Sequence, residues 1–309
     1  KKIEKIVPRT RNQAHMLIEE CMLAANVCAA EYVQQHHLPA LYRNHEGPKD
    51  EKLLKLKGYL GILGVEFPAK KKLTPADFQQ VLNSVAERPD APIIETMLLR
   101  SMMQAVYCPE NLGHFALAYP AYAHCTSPIR RYPDLLLHRV IRHHLHHPEA
   151  APHVDTATML ALGEHCSMAE RRADEATRDV TAWLKCEYMQ DHIGDTFKGV
   201  ITAVTSFGFF VALDDIFVEG LVHIRNLEGD FYNFDPVMHT LTGSRSGVVY
   251  AMGDKVEIKV AGVNLDERKM DFELLGRLGS ARRSRQSLAA EAPAAGEAPG
   301  KKGGGGGNG

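Results

Sequence analysis

The chain has 309 residues, 45% of them hydrophobic and 24% charged, with a formal net charge of −2, the composition of a globular protein of about two domains. It contains no run of about 18 apolar residues to cross a membrane, and Lys1-Lys2-Ile3-Glu4-Lys5 is followed by no apolar stretch of the kind a signal peptide needs, so a cytoplasmic protein without membrane contact is expected. A near-neutral balance also argues against a protein that simply tracks phosphates.

The charge is unevenly spread. Residues 1–191 carry 23 Lys and Arg against 23 Asp and Glu, residues 192–276 carry 7 against 13, and residues 277–309 carry 6 against 2. The six cysteines include no C-x-x-C pair, so reduced thiols are expected rather than a zinc knuckle or a disulfide framework.

Thr10-Arg11-Asn12-Gln13 reads as a capping box. Ala14, Leu17, Ile18, Cys21, Met22, Ala25 and Cys28 then keep helical spacing as far as about His37, which predicts a long helix with a buried face. Pro48 precedes a second helical pattern that stops near Gly64, Thr74-Pro75-Ala76-Asp77 caps a third, and Pro92 opens a fourth through Ile93, Met97, Leu98 and Met102. Between Gly113 and Thr126 the helical period breaks, and His114–Tyr119 alternates enough for a short strand.

Ser127-Pro128-Ile129-Arg130-Arg131-Tyr132-Pro133-Asp134 holds two prolines that do not both fit inside one regular helix. It predicts a rigid turn feeding a helix from about Pro133, with Leu136, Val140 and Leu145. His143, His144, His146 and His147 close that helix as a solvated, dipole-compatible end rather than a metal site. After a loop at 148–155, a second long helix runs from Thr156 to about Gln190 on Leu160, Cys166, Ala169, Ala173, Ala176, Val180, Trp183 and Leu184, with Glu170–Glu175 as a solvated face.

From Gly194 the pattern changes to short β-rich runs at Phe197–Val204, Phe209–Leu213, Gly220–His223, Lys255–Val260 and Met270–Leu274, with Asn226–Met252 as one long connection. Five such runs match a five-stranded OB barrel. Beyond Leu275 the chain turns to Arg and Ser, then Ala and Pro, then Lys301-Lys302 and glycines, a composition that predicts a disordered tail. The fold class is α+β: a mostly helical portion at 1–191, an all-β OB-fold barrel at 192–276 and a tail at 277–309.

In the barrel, adjacent strand residues face opposite sides, so one of Phe209 and Phe210 fills the interior while the other lies near the face that stacks bases. Such stacking is worth about 1–3 kcal/mol per base. Gly199, Val204 and Phe207-Gly208-Phe209-Phe210-Val211, followed by Gly220-Leu221-Val222-His223-Ile224, resemble the S1-type RNA-binding domain. The resemblance implies that Phe207, Phe210 and His223 contact RNA, with Lys269 and Arg268 on the last hairpin. The acidic balance of this region suits guiding RNA rather than gripping it.

Gly113-His114-Phe115, Tyr122-Ala123-His124-Cys125-Thr126 with the proline turn after it, and Ala169-Glu170-Arg171 together resemble the end of the catalytic domain of the ribonuclease II (RNB) family. The run Arg171–Asp179 points to one bacterial branch of it. The resemblance implies a processive 3′→5′ exoribonuclease that hydrolyses RNA to 5′-nucleoside monophosphates. In it Arg130 contacts the scissile phosphate, Glu170 lies near the leaving end of the RNA, and Arg131 and Tyr132 support the turn beside the substrate. A planar guanidinium fixed by two prolines suits a phosphoryl group that gains charge as it reacts.

Two alternatives stay open on sequence alone: a structural pair of Arg130 with Asp134, and a salt bridge of Glu170 on the helix surface. Glu19 and Glu20 are further candidates for the RNA channel, with no basis for choosing between them. Cys125 stands where the family usually has Phe, and the tail, with Arg282, Arg283 and Arg285, is poorer in lysine than is common in that branch.

The family holds Mg²⁺ with an aspartate cluster of the D-x-x-D-D type, and this chain has none. Asp214-Asp215 falls in a loop, and Asp174 and Asp179 are five apart on a helix, off a common face. The sequence therefore reads as the C-terminal part of a longer enzyme, inactive by itself and with no metal site of its own. The implied partners are single-stranded RNA and RNA with 3′ overhangs, with the ribosome or degradation machinery left open and a monomer expected. The alternative is a non-catalytic single-stranded RNA-binding module.

Overall fold

The computed structural model describes residues 3–8, 10–70, 73–88, 90–151, 154–214, 216–227, 229–236 and 238–279. Asp215 and the tail from 280 onward, with Arg282, Arg283 and Arg285, lie outside the described residues.

Asn12 caps the first helix, α1 (Gln13–Gln35): its side chain accepts from the His15 N–H at 3.0 Å, and His15 Nδ1 accepts from the Asn12 N–H at 3.3 Å. The cap thus sits two residues beyond Thr10, because an imidazole nitrogen does the work a Glu or Gln usually does. The expected continuous buried face is also corrected. Burial begins only at Asn26, Ala30 and Val33, while Leu17 and Ile18 are 65% and 58% exposed.

A three-residue strand, β1 (Tyr42–Asn44), follows and pairs later in the chain. Helices α2 (Asp50–Ile62), α3 (Pro75–Val85) and α4 (Ala91–Ser101) then form one unit around Leu56, Leu60, Phe78, Val81, Ile94 and Leu98. The expected Thr74–Asp77 cap is present on α3. β2 (Val106–Cys108) runs antiparallel to β1 with Arg43 opposite Tyr107. Both strands are too short to leave a period in the sequence.

The strand expected at His114–Tyr119 is absent. His114 Nδ1 accepts from the Leu117 N–H and caps a short 3-10 turn at Phe115–Leu117. The chain then doubles back, so that His114 bridges to Tyr119 and to His45. A side-chain acceptor close to the backbone has displaced strand pairing.

The proline turn leads as expected into α5 (Tyr132–His146), and Asp155 caps α6 (Thr156–Gln190) by accepting from the Thr158 N–H at 2.7 Å. α6 lies on β2 near its start, and a Cβ at Gly163 would fall 2.7 Å from the Tyr107 carbonyl oxygen. From Arg171 to Thr181 every side chain is exposed. Val180, Trp183 and Leu184 are exposed as well, which overturns their expected place in a core; the helix returns to burial at Cys186 and Met189. No helix among the described residues is long and apolar enough to cross a membrane.

The second region forms the expected five-stranded barrel. Its first three strands are β3 (Thr196–Thr205), β4 (Gly208–Leu213) and β5 (Glu219–His223). The connection after them is not irregular: β6 (Tyr232–Asp235), β7 (Thr240–Gly243) and β8 (Val249–Ala251) make a small antiparallel sheet. Strands this brief, interrupted by Gly and Ser, carry no alternation long enough to recognise. β9 (Lys255–Asn264) and β10 (Lys269–Gly279) complete the order β10-β5-β4-β3-β9, with Asp271 and Leu221 as the parallel pair at the β10–β5 seam.

Gly208 is required at the start of β4. Its φ is +150°, and a Cβ there would sit 2.2 Å from the Val222 carbonyl oxygen. Inside the barrel, Ile201, Phe209, Val211, Val222, Ile258 and Phe272 form the core, which Cys186 and Met189 of α6 and Tyr59 of α2 extend toward the helices.

Candidate active site and nucleic-acid interface

Asp134 organises the proline turn. It is fully buried, and its Oδ2 accepts from the Ser127 N–H at 2.8 Å, Arg131 Nε at 3.2 Å and Arg131 Nη2 at 2.9 Å. The Ser127 carbonyl accepts from the backbone N–H groups of Arg130 and Arg131. Arg131 is therefore the structural partner of Asp134. Arg130 is exposed and has no ion pair among the described residues, which decides the alternative left open above. Tyr132 starts α5 and is half exposed beside it.

Across from the turn, Glu170 shares a hollow of about 600 Å³ with Arg130, Arg131, Tyr132, Tyr107 and Asp174. Glu170 is not paired on its own helix. Its Oε2 lies 2.6 Å from Arg43 Nη1, and the Arg43 guanidinium carbon stands 4.6 Å from the centroid of the Tyr107 ring. Neither Arg43 nor Tyr107 stands out in the sequence, because their pairing joins two remote three-residue strands. Glu19 pairs with Arg11, and Glu20 is exposed on the same part of α1; neither lines this hollow.

Behind the hollow lies a group of neutral rings. The Tyr107 hydroxyl and His124 Nδ1 are 2.8 Å apart, and His45 stacks on His114 with centroids 5.1 Å apart. Burial pushes the Tyr107 hydroxyl up to about 12. Burial first, then the Arg131 and Arg43 cations, lower His124 to about 3; burial lowers His114 to about 4, helped by His45 and Arg43. Burial also raises the Cys125 thiol, so it is a protonated packing residue.

On the barrel, Phe209 points inward and stacks on Tyr250 with centroids 5.0 Å apart, while Phe207 and Phe210 point outward and meet edge to face at 6.2 Å. A groove of about 850 Å³ runs between this face and α6, lined by Phe207, Phe210, Leu221, Arg268 and Lys269 on one side and Arg178 and Lys185 on the other. His223 is the register partner of Gly208, but it lies outside the groove, and its Nδ1 accepts from the Arg225 N–H. Arg268 Nε is 3.7 Å from Asp179 of α6, and Lys269 pairs with Glu267 at 2.8 Å. The helix wall, with Arg178 and Lys185, was missed because isolated cations on a helix carry no local sign of what packs opposite them.

Among the described residues there is no group of three or more His, Cys, Asp or Glu that could hold a metal ion. Asp174 lines the hollow while Asp179 faces Arg268. The donors among the described residues do not gather into a set that fits a divalent cation.

Residues 1–147 match the RNB domain, and residues 190–275 match the S1 RNA binding domain. Ribonuclease R of Escherichia coli is 53% identical over 284 residues, covering 89% of this chain and 35% of that protein; ribonuclease R of Vibrio cholerae is 50% identical over 285 residues, covering 89% and 35%. The chain belongs to the ribonuclease R family. It spans about a third of the length of those relatives. RNase R of Mycoplasma genitalium in its apo form superimposes with a TM-score of 0.79 at 28% identity, covering 86% of this chain and 42% of that one. The same protein in complex with ribose methylated single-stranded RNA gives the same score and coverage. The RNB match ends just after α5 and the S1 match begins at the last residue of α6. The helix carrying Glu170 thus links the two matched parts of this ribonuclease R relative.

Proposed function

We propose that this chain supplies the phosphate clamp and RNA guide of a processive 3′→5′ exoribonuclease, a cytoplasmic monomer that degrades single-stranded RNA and RNA with 3′ overhangs to 5′-nucleoside monophosphates. One observation carries the reading: Arg130, left unpaired by the Asp134–Arg131 lock, faces Glu170 across a single hollow. Residues 1–191 form the catalytic side and residues 192–276 the guide.

In hydrolysis, water attacks the phosphorus of the last phosphodiester, the bond from phosphorus to O3′ breaks, and O3′ leaves with a proton. Negative charge grows on the non-bridging oxygens meanwhile. A guanidinium already in place stabilises that charge without reorganising, because its partner for folding is elsewhere. Glu170 stands at the leaving end and tunes product release. Phe207 and Phe210 stack bases sequence-independently, His223 extends the same barrel face, and Lys269 and Arg268 meet the backbone. Arg131 and Tyr132 border the RNA while holding the turn. Mg²⁺ is the cation that this chemistry calls for, and no described residue is assigned to it. The ligand in the Mycoplasma genitalium complex with single-stranded RNA supports the substrate class.

The test is Arg130→Ala in the full-length protein. Turnover should fall by about 10²-fold or more, as when a preorganised donor is removed, while RNA affinity stays within about twofold because stacking on the barrel is untouched. Retained turnover ends the assignment. A second reading, a non-catalytic single-stranded RNA-binding module, is favoured for the 309-residue chain because the described residues bring together no group of three or more metal-ligating side chains. With 5′-labelled RNA and Mg²⁺ the chain should bind without shortening the RNA, and shortening would overturn this.

A further inference from the structure

Glu170 is seated by the packing of α6 on β2. Gly163 lets the helix approach until a Cβ would be 2.7 Å from the Tyr107 carbonyl oxygen, and Ser167 Oγ accepts from the Tyr107 N–H at 2.9 Å. Residues 163, 167 and 170 share one face of the helix, so the contact that docks α6 also brings Glu170 over β1. There it meets Arg43, which stands directly across the two-stranded ladder from Tyr107.

The environment of Arg43 is unusual for an arginine. Its side chain is 14% exposed, its guanidinium lies over the Tyr107 ring, and its Nη1 is buried with no aligned hydrogen bond, although Glu170 Oε2 is 2.6 Å away. The carboxylate is thus the charge that offsets a buried cation. Arg130 borders the same hollow with no acid partner of its own. A carboxylate released from Arg43 would be free to pair with Arg130, the arginine of the hollow that Asp134 does not hold.

We propose that Arg43 is a positioning residue: by capturing Glu170 it fixes the carboxylate on the wall of the hollow and keeps it from neutralising Arg130, which stays available to phosphate. The inference rests on the reading of Arg130 and Glu170 given above. Arg43 itself lies beneath the hollow and touches no RNA, so it acts on turnover and not on binding. Its shape matters as well as its charge, since a lysine neither stacks on Tyr107 nor presents a planar fork.

The experiment is a double-mutant cycle in the full-length protein, with kcat and KM on single-stranded RNA and Tm measured for each variant. Arg43→Met should lower kcat by about fivefold or more, the size expected for directly coupled residues, with KM within about twofold. In a Glu170→Gln background the same Arg43→Met change should leave kcat unaltered, because no carboxylate remains to capture Arg130. An equal loss in both backgrounds, following the fall in Tm, would make Arg43 a structural residue only and overturn the proposal. So would an unchanged kcat in the Arg43→Met single variant. Should Arg43→Met fail to fold, Arg43→Lys carries the same cycle with a smaller loss and the same dependence on background. Arg130→Ala separates the two levels. Retained turnover there removes the underlying reading, whereas a dead Arg130→Ala enzyme with additive Arg43 and Glu170 effects removes this inference alone.

Discussion

In the barrel, Phe209, Val211, Val222, Ile258 and Phe272 meet in one continuous core, whereas the helical region, apart from the few residues that join that core, divides its buried residues among three smaller clusters. One gathers α2, α3 and α4, one joins Ala30 and Val33 of α1 to Leu137 of α5, and one joins Leu136 and Val140 to Met159 of α6. A barrel turns its own inner face on itself. A long helix buries only the turns that something crosses, and so α1 and α6 each expose apolar side chains over part of their length. The proposed function follows the same division: the barrel offers a preformed face, while Arg130 and Glu170 depend on a few specific polar locks.

The sharpest way to break this comparison uses adjacent residues of β4. Phe209→Ala empties the centre of the continuous core and should cost about 3–5 kcal/mol in chemical unfolding. Phe210→Ala, one residue on and facing out, should leave stability within about 0.5 kcal/mol and weaken RNA binding by about 1–3 kcal/mol. Equal stability losses would show that strand alternation does not separate core from binding face here.

In the helical region the corresponding break is polar. Asp134→Ala removes the acceptor for the Ser127 N–H and for two Arg131 nitrogens. It leaves a largely buried guanidinium without its charge partner and should cost about 3 kcal/mol, with turnover of the full-length protein falling because Arg130 loses its fixed base. If denaturant unfolding shows no loss, the turn is held by its prolines alone.

The barrel was the more legible of the two regions. Five alternating runs gave its strands to within a few residues, since alternation is a local signal, and Phe209 against Phe210 was reduced to a choice of two by the pleat. The cap at Thr74, the start of α6 at Thr156 and the helix after the proline turn were local too. What stayed hidden depended on distance in the sequence or on exposure. The Arg43–Tyr107 ladder joins two three-residue strands, and the β6–β8 sheet is built of strands equally brief. Helical spacing at Val180, Trp183 and Leu184 could not reveal that these side chains stay partly exposed instead of entering a core. Arg130 and Glu170 were legible as motifs, but their arrangement was not: which arginine serves Asp134 and which cation holds Glu170 are decided by packing.

Acid should sharpen the comparison by acting on the helical region first. His124 and His114 are held neutral in the fold, down to about 3 and about 4, against 6.5 in an unfolded chain. Between those values the unfolded state binds more protons than the folded one, so stability is complete above pH 6.5 and falls as the pH is lowered toward 4. Among the described residues, no buried histidine sits in the barrel core. Hydrogen exchange should therefore show β1, β2 and the start of α5 losing protection at a higher pH than β3, β4 and β9. His124→Asn removes one of the two groups while keeping a polar atom near the Tyr107 hydroxyl. It should be less stable than the parent at pH 7 through lost packing, yet its Tm should fall less from pH 6.5 to 4, since charging a group held at about 3 costs up to about 3 kcal/mol at pH 4. Parallel pH profiles for the two proteins would mean that the cost of charging His124 is met by relaxation of the ring cluster around it, and the contrast between the two regions would then lie in packing alone.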